Sequence, residues 1–185
     1  LGPYSRNKQK QEQLAIYRHL NDGLRLTVIR PGNITGAGSQ PWVHEALKQL
    51  RKKAPAIVGS GRTRCGLCFV ENVVEVFALA AAREASVGKV YNALDDLQYV
   101  TRGDNNARLA EIAGAPAPRK VPLPIATLLA AAGERLGRAV GRRDRPPLTF
   151  EALNLVSQDM EFSLERTRRD LEYEPVFDYE EAMNS

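Results

Sequence analysis

The sequence has little cysteine: two cysteines among 185 residues cannot build a disulfide framework. We therefore expect a reducing compartment, the cytoplasm. The chain also lacks an uninterrupted apolar run of the ~18 residues that span a bilayer, so no transmembrane segment is predicted. The longest apolar stretch, residues 121–140, is broken by prolines and by charged residues.

The overall composition is that of a folded protein. Hydrophobic residues make up 43% of the chain and charged residues 26%, which excludes disorder as a description of the whole chain. The formal net charge is +4. The basic residues of the chain are scattered except near residues 142–145, a distribution typical of a solvated surface. No nucleic-acid partner is expected.

The hydrophobic pattern predicts strands alternating with helices in the first half of the chain and mostly helices in the second. Asn72, Thr101, Thr149 and Ser163 are predicted helix N-caps. This pattern favours an α/β fold with a parallel sheet and an attached helical lobe. The predicted strands are 24–29, 56–58, 66–70 and 89–93, and the predicted helices are 4–20, 42–53, 71–85, 101–113, 125–140, 150–156 and 163–171.

The first predicted helix carries Tyr4 and Lys8, which are four residues apart and so lie on one face. An ammonium beside a phenol stabilises the tyrosinate form. Such a phenol can exchange a proton with an alcohol or a carbonyl group. The spacing alone is weakly specific, because an exposed tyrosine and lysine on a solvated helix produce the same pattern.

Further motifs follow in a fixed order, and they make the pattern specific. The chain contains Arg30-Pro31-Gly32-Asn33-Ile34-Thr35-Gly36, then Gly59-Ser60-Gly61, Cys68-Phe69-Val70-Glu71-Asn72-Val73-Val74, Gly88-Lys89-Val90-Tyr91-Asn92, and a tail from Arg168 to Pro175. Together with Tyr4 and Lys8, these motifs resemble the extended short-chain dehydrogenase/reductases of the NAD-dependent epimerase/dehydratase superfamily. The 3β-hydroxysteroid dehydrogenase-like branch is the most similar, and the resemblance covers residues 3–183.

The resemblance implies roles for particular residues. Tyr4 and Lys8 correspond to the family's catalytic pair, and Lys8 also holds the nicotinamide ribose of NAD or NADP. Pro31, Gly32, Asn33 and Ile34 correspond to the turn that lines the nicotinamide, partly through backbone groups. We expect Trp42 and Val43 to open the substrate-binding lobe. Arg62 and Arg64 are candidates for contact with an anionic substrate or a cofactor phosphate.

The resemblance also implies how the domains are divided. Residues 1–38 would end the nucleotide-binding domain of a Rossmann-like fold, and residues 39–185 would form the mostly helical substrate lobe. Within this lobe, residues 66–93 would return to the α/β core. The family's tyrosine helix often packs against its counterpart, so a homodimer is expected for the parent protein.

Two family features are missing from these residues. No Gly-x-Gly-x-x-Gly turn opens a helix, because Arg64 stands where the third glycine after Gly59 and Gly61 would fall. The catalytic serine or threonine that precedes the tyrosine is also missing. We therefore expect the chain to be the C-terminal half of the enzyme, to bind NAD(P) poorly and to be inactive alone.

Three functions remain open at this point. The first is an oxidoreductase that transfers hydride between NAD(P) and a secondary alcohol or its ketone, with a sterol-like or other bulky apolar small molecule as substrate. The second is a sugar-nucleotide epimerase or dehydratase. It is disfavoured because the register places Cys65, and not Arg64, where that branch has an arginine. The third is a non-catalytic binding module on the same fold.

No metal site is expected. Cys65 and Cys68 are three residues apart, so on a strand they point to opposite faces. No second Cys/His pair accompanies them.

Overall fold

The computed structural model describes residues 2–51, 56–95, 99–139, 153–154 and 157–184. The chain divides into two compact units. The first unit contains three segments, residues 1–37, 66–97 and 162–185, and the second contains residues 38–65 and 98–161. In the described part of the chain, no helix is long and apolar enough to cross a membrane.

The described helices and strands follow the predicted alternation. The helices are α1 (Pro3–Asp22), α2 (Glu45–Arg51), α3 (Val70–Ala82), α4 (Arg102–Ile112), α5 (Leu123–Ala139), α6 (Glu165–Leu171) and α7 (Tyr179–Asn184), and the strands are β1 (Val28–Pro31), β2 (Asn33–Thr35), β3 (Ala56–Val58), β4 (Leu67–Phe69), β5 (Val90–Ala93) and β6 (Arg119–Val121). A π-helical turn, Gln40–His44, precedes α2, and a 3₁₀ turn, Glu84–Ser86, follows α3.

The described strands pair in parallel, as the α/β pattern predicts. In the first unit, β1 pairs with β5 and β2 pairs with β4. In the second unit, β3 pairs with β6. Parallel pairs need long connections, and the connection from β1 to its partner β5 includes α3.

The first strand begins later than predicted. The sequence pattern placed it at residues 24–29, whereas β1 spans Val28–Pro31. Its partner strand sets this limit, because β5 begins at Val90, which pairs with Val28. The residues before Val90 belong to the turn that follows the 3₁₀ segment, so they do not form a β-ladder with residues 24–27.

The core of the first unit forms around α3. Val73, Val76 and Ala80 are buried along one face of this helix, at the spacing of an amphipathic helix. They pack with buried residues of β4, of β5 and its end, and of the C-terminal segment, namely Cys68, Tyr91, Ala93, Leu94, Leu164, Leu171 and Tyr173.

The C-terminal segment is part of the first unit, because residues 162–185 group with residues 1–37 and 66–97. The physical reason is that Leu164, Leu171 and Tyr173 complete its core. The Tyr173 hydroxyl donates a hydrogen bond to the carbonyl of Leu94 over 3.0 Å.

The second unit has its own smaller core. Ala126, Ala130 and Leu153 are buried there, and Val58 of β3 and Val121 of β6 pack against them. No strand was predicted from the sequence where β6 lies. The predicted helix 150–156 and its Thr149 cap fall largely outside the described residues.

Candidate active site

Helix α1 carries the candidate catalytic pair on an exposed surface. Pro3 occupies the first turn, where its missing N–H costs nothing, and Gly23 ends the helix in the left-handed conformation at φ 69°. The Lys8 ammonium lies 5.9 Å from the centre of the Tyr4 ring. Tyr4 is 67% exposed. The pair is therefore adjacent and accessible, as the spacing predicts.

One ion pair fixes α1 to the start of the sheet. The Arg30 Nε donates to Glu12 Oε2 over 2.9 Å, and Arg30 Nη2 donates to the other oxygen of the same carboxylate. This hydrogen bond holds the pKa of Glu12 below its ordinary value. Because Arg30 belongs to β1, the contact sets the position of the Tyr4–Lys8 helix relative to the residues that follow it.

The segment from Pro31 to Ile34 joins two strand pairs. The Gly32 amide donates to the carbonyl of Ala93 over 3.0 Å, and the Asn33 amide donates to the carbonyl of Gly66 over 2.7 Å. A Cβ at Gly32 would lie 2.4 Å from the Gly66 oxygen. Glycine is thus required by the close approach of two backbones, whether or not a ligand binds nearby.

Asn72 belongs to a buried hydrogen-bond network in the first unit. The sequence predicted it to be the N-cap of α3, but the helix begins at Val70 with Phe69 at its N-cap. The Asn72 side chain is buried. Its amide donates to Asp95 Oδ1 over 2.8 Å and to the carbonyl of Phe177 over 2.9 Å.

The same side chain also binds the C-terminal segment through its oxygen. Asn72 Oδ1 accepts hydrogen bonds from the amides of Val176 and Phe177 over 2.8 and 3.0 Å. Asp95 in turn accepts from the Phe69 amide over 2.7 Å. Burial raises the pKa of Asp95. The sequence reasoning missed Asp95, although it lies only three residues after the Tyr91-Asn92 motif.

In the second unit, Trp42 lies beside an arginine that the sequence reasoning did not select. Trp42 and Val43 belong to the π-helical turn and are both half-buried. The Arg102 guanidinium lies 5.8 Å from the centre of the Trp42 ring. Arg102 is only 7% exposed. Its one sequence signal is that it follows Thr101, whose capping box with Asp104 confirms the predicted N-cap.

The two other candidate arginines of this unit behave differently from each other. Arg62 is exposed, and its amide bonds to the Ser60 hydroxyl. Arg64 instead forms a bidentate ion pair with Asp159. Its Nε donates to Oδ1 over 3.0 Å and its Nη2 donates to Oδ2 over 2.5 Å. Arg64 Nη2 also donates to Glu161 over 2.9 Å. These bonds raise the pKa of Arg64 and lower that of Asp159 to about 2.

Both cysteines are buried thiols, and neither forms a disulfide bond. Burial raises the pKa of Cys65 to about 11 and raises that of Cys68 as well, so neither is a thiolate at neutral pH. Within the described residues, no cluster of histidine, cysteine and carboxylate side chains is able to hold a metal ion.

The structure sorts the predicted site residues into two groups. Tyr4, Lys8 and residues 31–34 belong to the first unit, while Trp42, Val43, Arg62 and Arg64 belong to the second. Within the first group, Tyr4 and Lys8 are in contact distance of each other. Within the second, Trp42 contacts Arg102, and Arg64 is occupied by carboxylates.

Known proteins are similar to this chain over about half of their own length. A ketoreductase from Stigmatella aurantiaca, named for 4-hydroxy-2-methyl-3-oxo-4-farnesyl-3,4-dihydroquinoline-1-oxide, is 30% identical over 171 residues, covering 92% of this chain and 50% of the relative. The 3 beta-hydroxysteroid dehydrogenase/Delta 5-->4-isomerase of Mycobacterium tuberculosis is 27% identical over 188 residues, covering 97% of this chain and 50% of the relative. The chain thus spans about half the length of the curated relatives it matches.

A solved structure gives the same picture of the fold. The UDP-glucuronic acid 4-epimerase from Bacillus cereus, determined in complex with UDP-glucuronic acid and NAD, superposes with a TM-score of 0.70 at 17% identity, covering 100% of this chain and 51% of that one. The Rossmann-like fold class is therefore confirmed. The family model for the NAD dependent epimerase/dehydratase family matches residues 1–93. The protein accordingly belongs to the NAD dependent epimerase/dehydratase family.

Proposed function

We propose that this chain supplies the proton-transfer pair and the substrate lobe of an NAD(P)-dependent oxidoreductase acting on a secondary alcohol or its ketone. The observation that carries the proposal is the Tyr4–Lys8 pair, exposed on α1 within the segment that matches the family. The ketoreductase and hydroxysteroid dehydrogenase named among the relatives support an alcohol/ketone substrate on a bulky apolar framework.

The residues of this chain fit one half of the cofactor. Lys8 presents three N–H donors on an exposed helix face, which suits the hydroxyls of the nicotinamide ribose. The amides of Gly32 and Asn33 are used between strands, so contact with the nicotinamide would fall to the exposed side chains of Pro31 and Ile34.

The pyrophosphate half of the cofactor has no matching seat in these residues. A dinucleotide pyrophosphate is held by a glycine-rich turn at a helix N-terminus, and the 185 residues contain no Gly-x-Gly-x-x-Gly. We therefore propose that the isolated chain binds NAD(P) weakly and does not turn over substrate. Calorimetry with NAD+ tests this, and sub-micromolar binding would contradict it.

Tyr4 and Lys8 then have defined roles in the reaction. A bound NAD(P) supplies hydride exchange at the nicotinamide. In the reducing direction, the Tyr4 hydroxyl donates its proton to the carbonyl oxygen as that oxygen becomes an alcohol. The Lys8 ammonium stabilises the tyrosinate left behind, because an adjacent positive charge favours the deprotonated phenol. In the oxidising direction, Tyr4 takes the proton from the alcohol.

Arg64 provides an observation against the sugar-nucleotide alternative. Binding a nucleotide diphosphate requires cationic side chains with free donors. The Nε and Nη2 of Arg64 already serve Asp159 and Glu161. The role of Arg64 in the second unit is therefore structural. The oxidoreductase remains the favoured function.

The decisive experiment measures turnover by the whole protein that carries this chain, with NADH or NADPH and a panel of bulky ketones. We expect Tyr4→Phe to lower kcat by about 10²–10⁴-fold, since it removes the transferred proton. Tyr17→Phe is the matched control, because Tyr17 is 58% exposed on the same helix, and its kcat should be unchanged. Equal turnover by Tyr4→Phe and the wild type would overturn the proposal.

A further inference from the structure

The guanidinium of Arg102 is the most unusual buried group in the second unit. Two of its atoms, Nε and Nη2, are inaccessible and have no hydrogen-bond partner. Buried polar side-chain atoms are normally paired, and an exception in a folded protein calls for an explanation such as a ligand or an ion. The Arg102 backbone does have a partner, because its amide donates to the carbonyl of Thr63 over 2.8 Å. The atoms without hydrogen-bond partners therefore both belong to the guanidinium group.

The unpaired atoms are the two that arginine uses to grip a carboxylate. Nε and Nη2 present two N–H groups side by side, which matches the two oxygens of a carboxylate. Two arginines in the described part of the chain use this edge: Arg64 binds Asp159 through it, and Arg30 binds Glu12 through it. At Arg102 the same edge is buried and makes no hydrogen bond.

The surroundings of Arg102 favour an anion. The residue opens α4, where the helix dipole is positive, so its own charge is unfavourable there. Asp104, the acidic side chain of the first turn, is engaged with the Thr101 amide and hydroxyl. Burial lowers the pKa of Arg102, which reflects the unbalanced cost of its charge. An anion at this point would relieve both effects.

Trp42 defines the other wall of the proposed site. Its ring lies 5.8 Å from the guanidinium and belongs to a π-helical turn, a feature often found at functional sites. The turn brings an aromatic, apolar surface next to a carboxylate-binding edge. That combination suits a molecule with a carboxylate at one end and an apolar body.

We propose that Arg102 is a specificity residue that binds the carboxylate of the substrate, with Trp42 packing against the adjacent apolar part. The inference rests on the proposed function, in that it assigns the second unit to substrate binding, and it narrows the substrate to a carboxylate-bearing ketone or alcohol. Arg102 takes no part in proton transfer.

The test is binding of octanoate to the 185-residue chain, followed by the fluorescence of Trp42, the single tryptophan in the sequence. Octan-1-ol is the neutral comparison and inorganic phosphate the free-anion comparison. We expect a saturable fluorescence change with octanoate and at least tenfold weaker binding of octan-1-ol. Equal binding of the two, or binding of phosphate without octanoate, would overturn the proposal.

Two variants separate recognition from folding. Arg102→Gln should weaken octanoate binding at least tenfold, which corresponds to about 1.4 kcal/mol. Arg102→Lys keeps the charge but loses the two-pronged edge, and it should weaken binding about fivefold. The matched control is Arg119→Gln on exposed β6, which should bind octanoate as the wild type does.

The outcomes are decided independently of the oxidoreductase assay. Far-UV circular dichroism identifies a variant that fails to fold, and in that case Arg102→Lys decides. A folded Arg102 variant with wild-type octanoate affinity contradicts the assignment. Since this binding needs neither NAD(P) nor turnover, a negative result with Tyr4→Phe would leave it unaffected.

Discussion

Helix α1 and the C-terminal segment are both part of the first unit, yet they are held in opposite ways. The 20 residues of α1 include none that is buried. The C-terminal segment, by contrast, places Leu171 and Tyr173 at 0% exposure in the core. The helix with the candidate chemistry is therefore attached by few contacts, whereas the segment without candidate chemistry is deeply integrated.

This difference separates two kinds of residue. On α1, Tyr4 and Lys8 contribute little burial, so their identity is explained better by chemistry than by folding. Around α3, Asn72 and Asp95 are polar but enclosed, and their hydrogen bonds join three segments of the chain. Substitutions in the two regions should consequently affect different measurements, activity in one and stability in the other.

The largest expected effect is the loss of Asn72. Asn72→Ala removes two donors and an acceptor that serve Asp95, Val176 and Phe177. Buried Asp95 then loses this donor and keeps its bond from the Phe69 amide, and the C-terminal segment loses its bonds to α3 at this point. We expect the free energy of unfolding to fall by about 3–5 kcal/mol, measured by urea denaturation. Asn21→Ala is the control, because the exposed Asn21 makes one bond to the Tyr17 carbonyl; it should change stability by less than about 0.5 kcal/mol. Similar losses in both variants would contradict this account of the network.

A substitution at Gly32 should have the next largest effect. Its added Cβ would lie 2.4 Å from the Gly66 carbonyl oxygen and 2.7 Å from Leu94, so the two strand pairs must move apart. Gly32→Ala should therefore cost about 3 kcal/mol in thermal or urea unfolding. Gly23→Ala is the control that distinguishes a steric clash from backbone strain. An added Cβ at Gly23 would meet no atom within 4 Å, but the backbone there has φ +69°, so the substitution should cost about 1 kcal/mol. If Gly23→Ala proved the more damaging, the close approach at Gly32 would not be limiting.

The smallest expected effect is at the contact that anchors α1. Arg30 holds the pKa of Glu12 below its ordinary value. The pair therefore stabilises the fold fully at pH values above the ordinary pKa of a glutamate, and this contribution is lost as the pH falls through the lowered pKa. Because both side chains are partly exposed, Glu12→Gln should cost less than about 1 kcal/mol at pH 7.

The difference in the free energy of unfolding between the wild type and Glu12→Gln should disappear in acid. Unfolding curves at pH 7 and below the folded-state pKa of Glu12 measure it, with Glu75→Gln as a control for removing a glutamate charge. A constant difference at both pH values would mean that the carboxylate charge of Glu12 is not what stabilises the contact.

The sequence predicted the parts of the fold that depend on local signals. Periodic apolar residues located α3 and α5 to within a few residues. Thr101 was predicted as an N-cap, and the structure adds its capping box with Asp104. The relation between Tyr4 and Lys8 was predicted for the same reason, since one helical turn fixes it.

Long-range relations were not predictable in this way. Asn72 was expected to cap a helix, but its partners are Val176 and Phe177, which lie more than 100 positions away. The β3–β6 pair was missed because β6 lies in a proline-rich stretch and forms only opposite its partner. Arg102 was overlooked because its missing partner and its contact with Trp42 exist only after folding.

The three-segment construction of the first unit also has a kinetic consequence. During synthesis, the strands and α3 emerge early, but Leu164, Leu171 and Tyr173 emerge only after residues 98–161 have been made. At about 5–20 residues per second, the ribosome needs about 3 to 13 seconds for that stretch. For that time the apolar face of α3 lacks the part of its native cover that Leu164, Leu171 and Tyr173 supply, and the nascent chain is most exposed to chaperones and to aggregation.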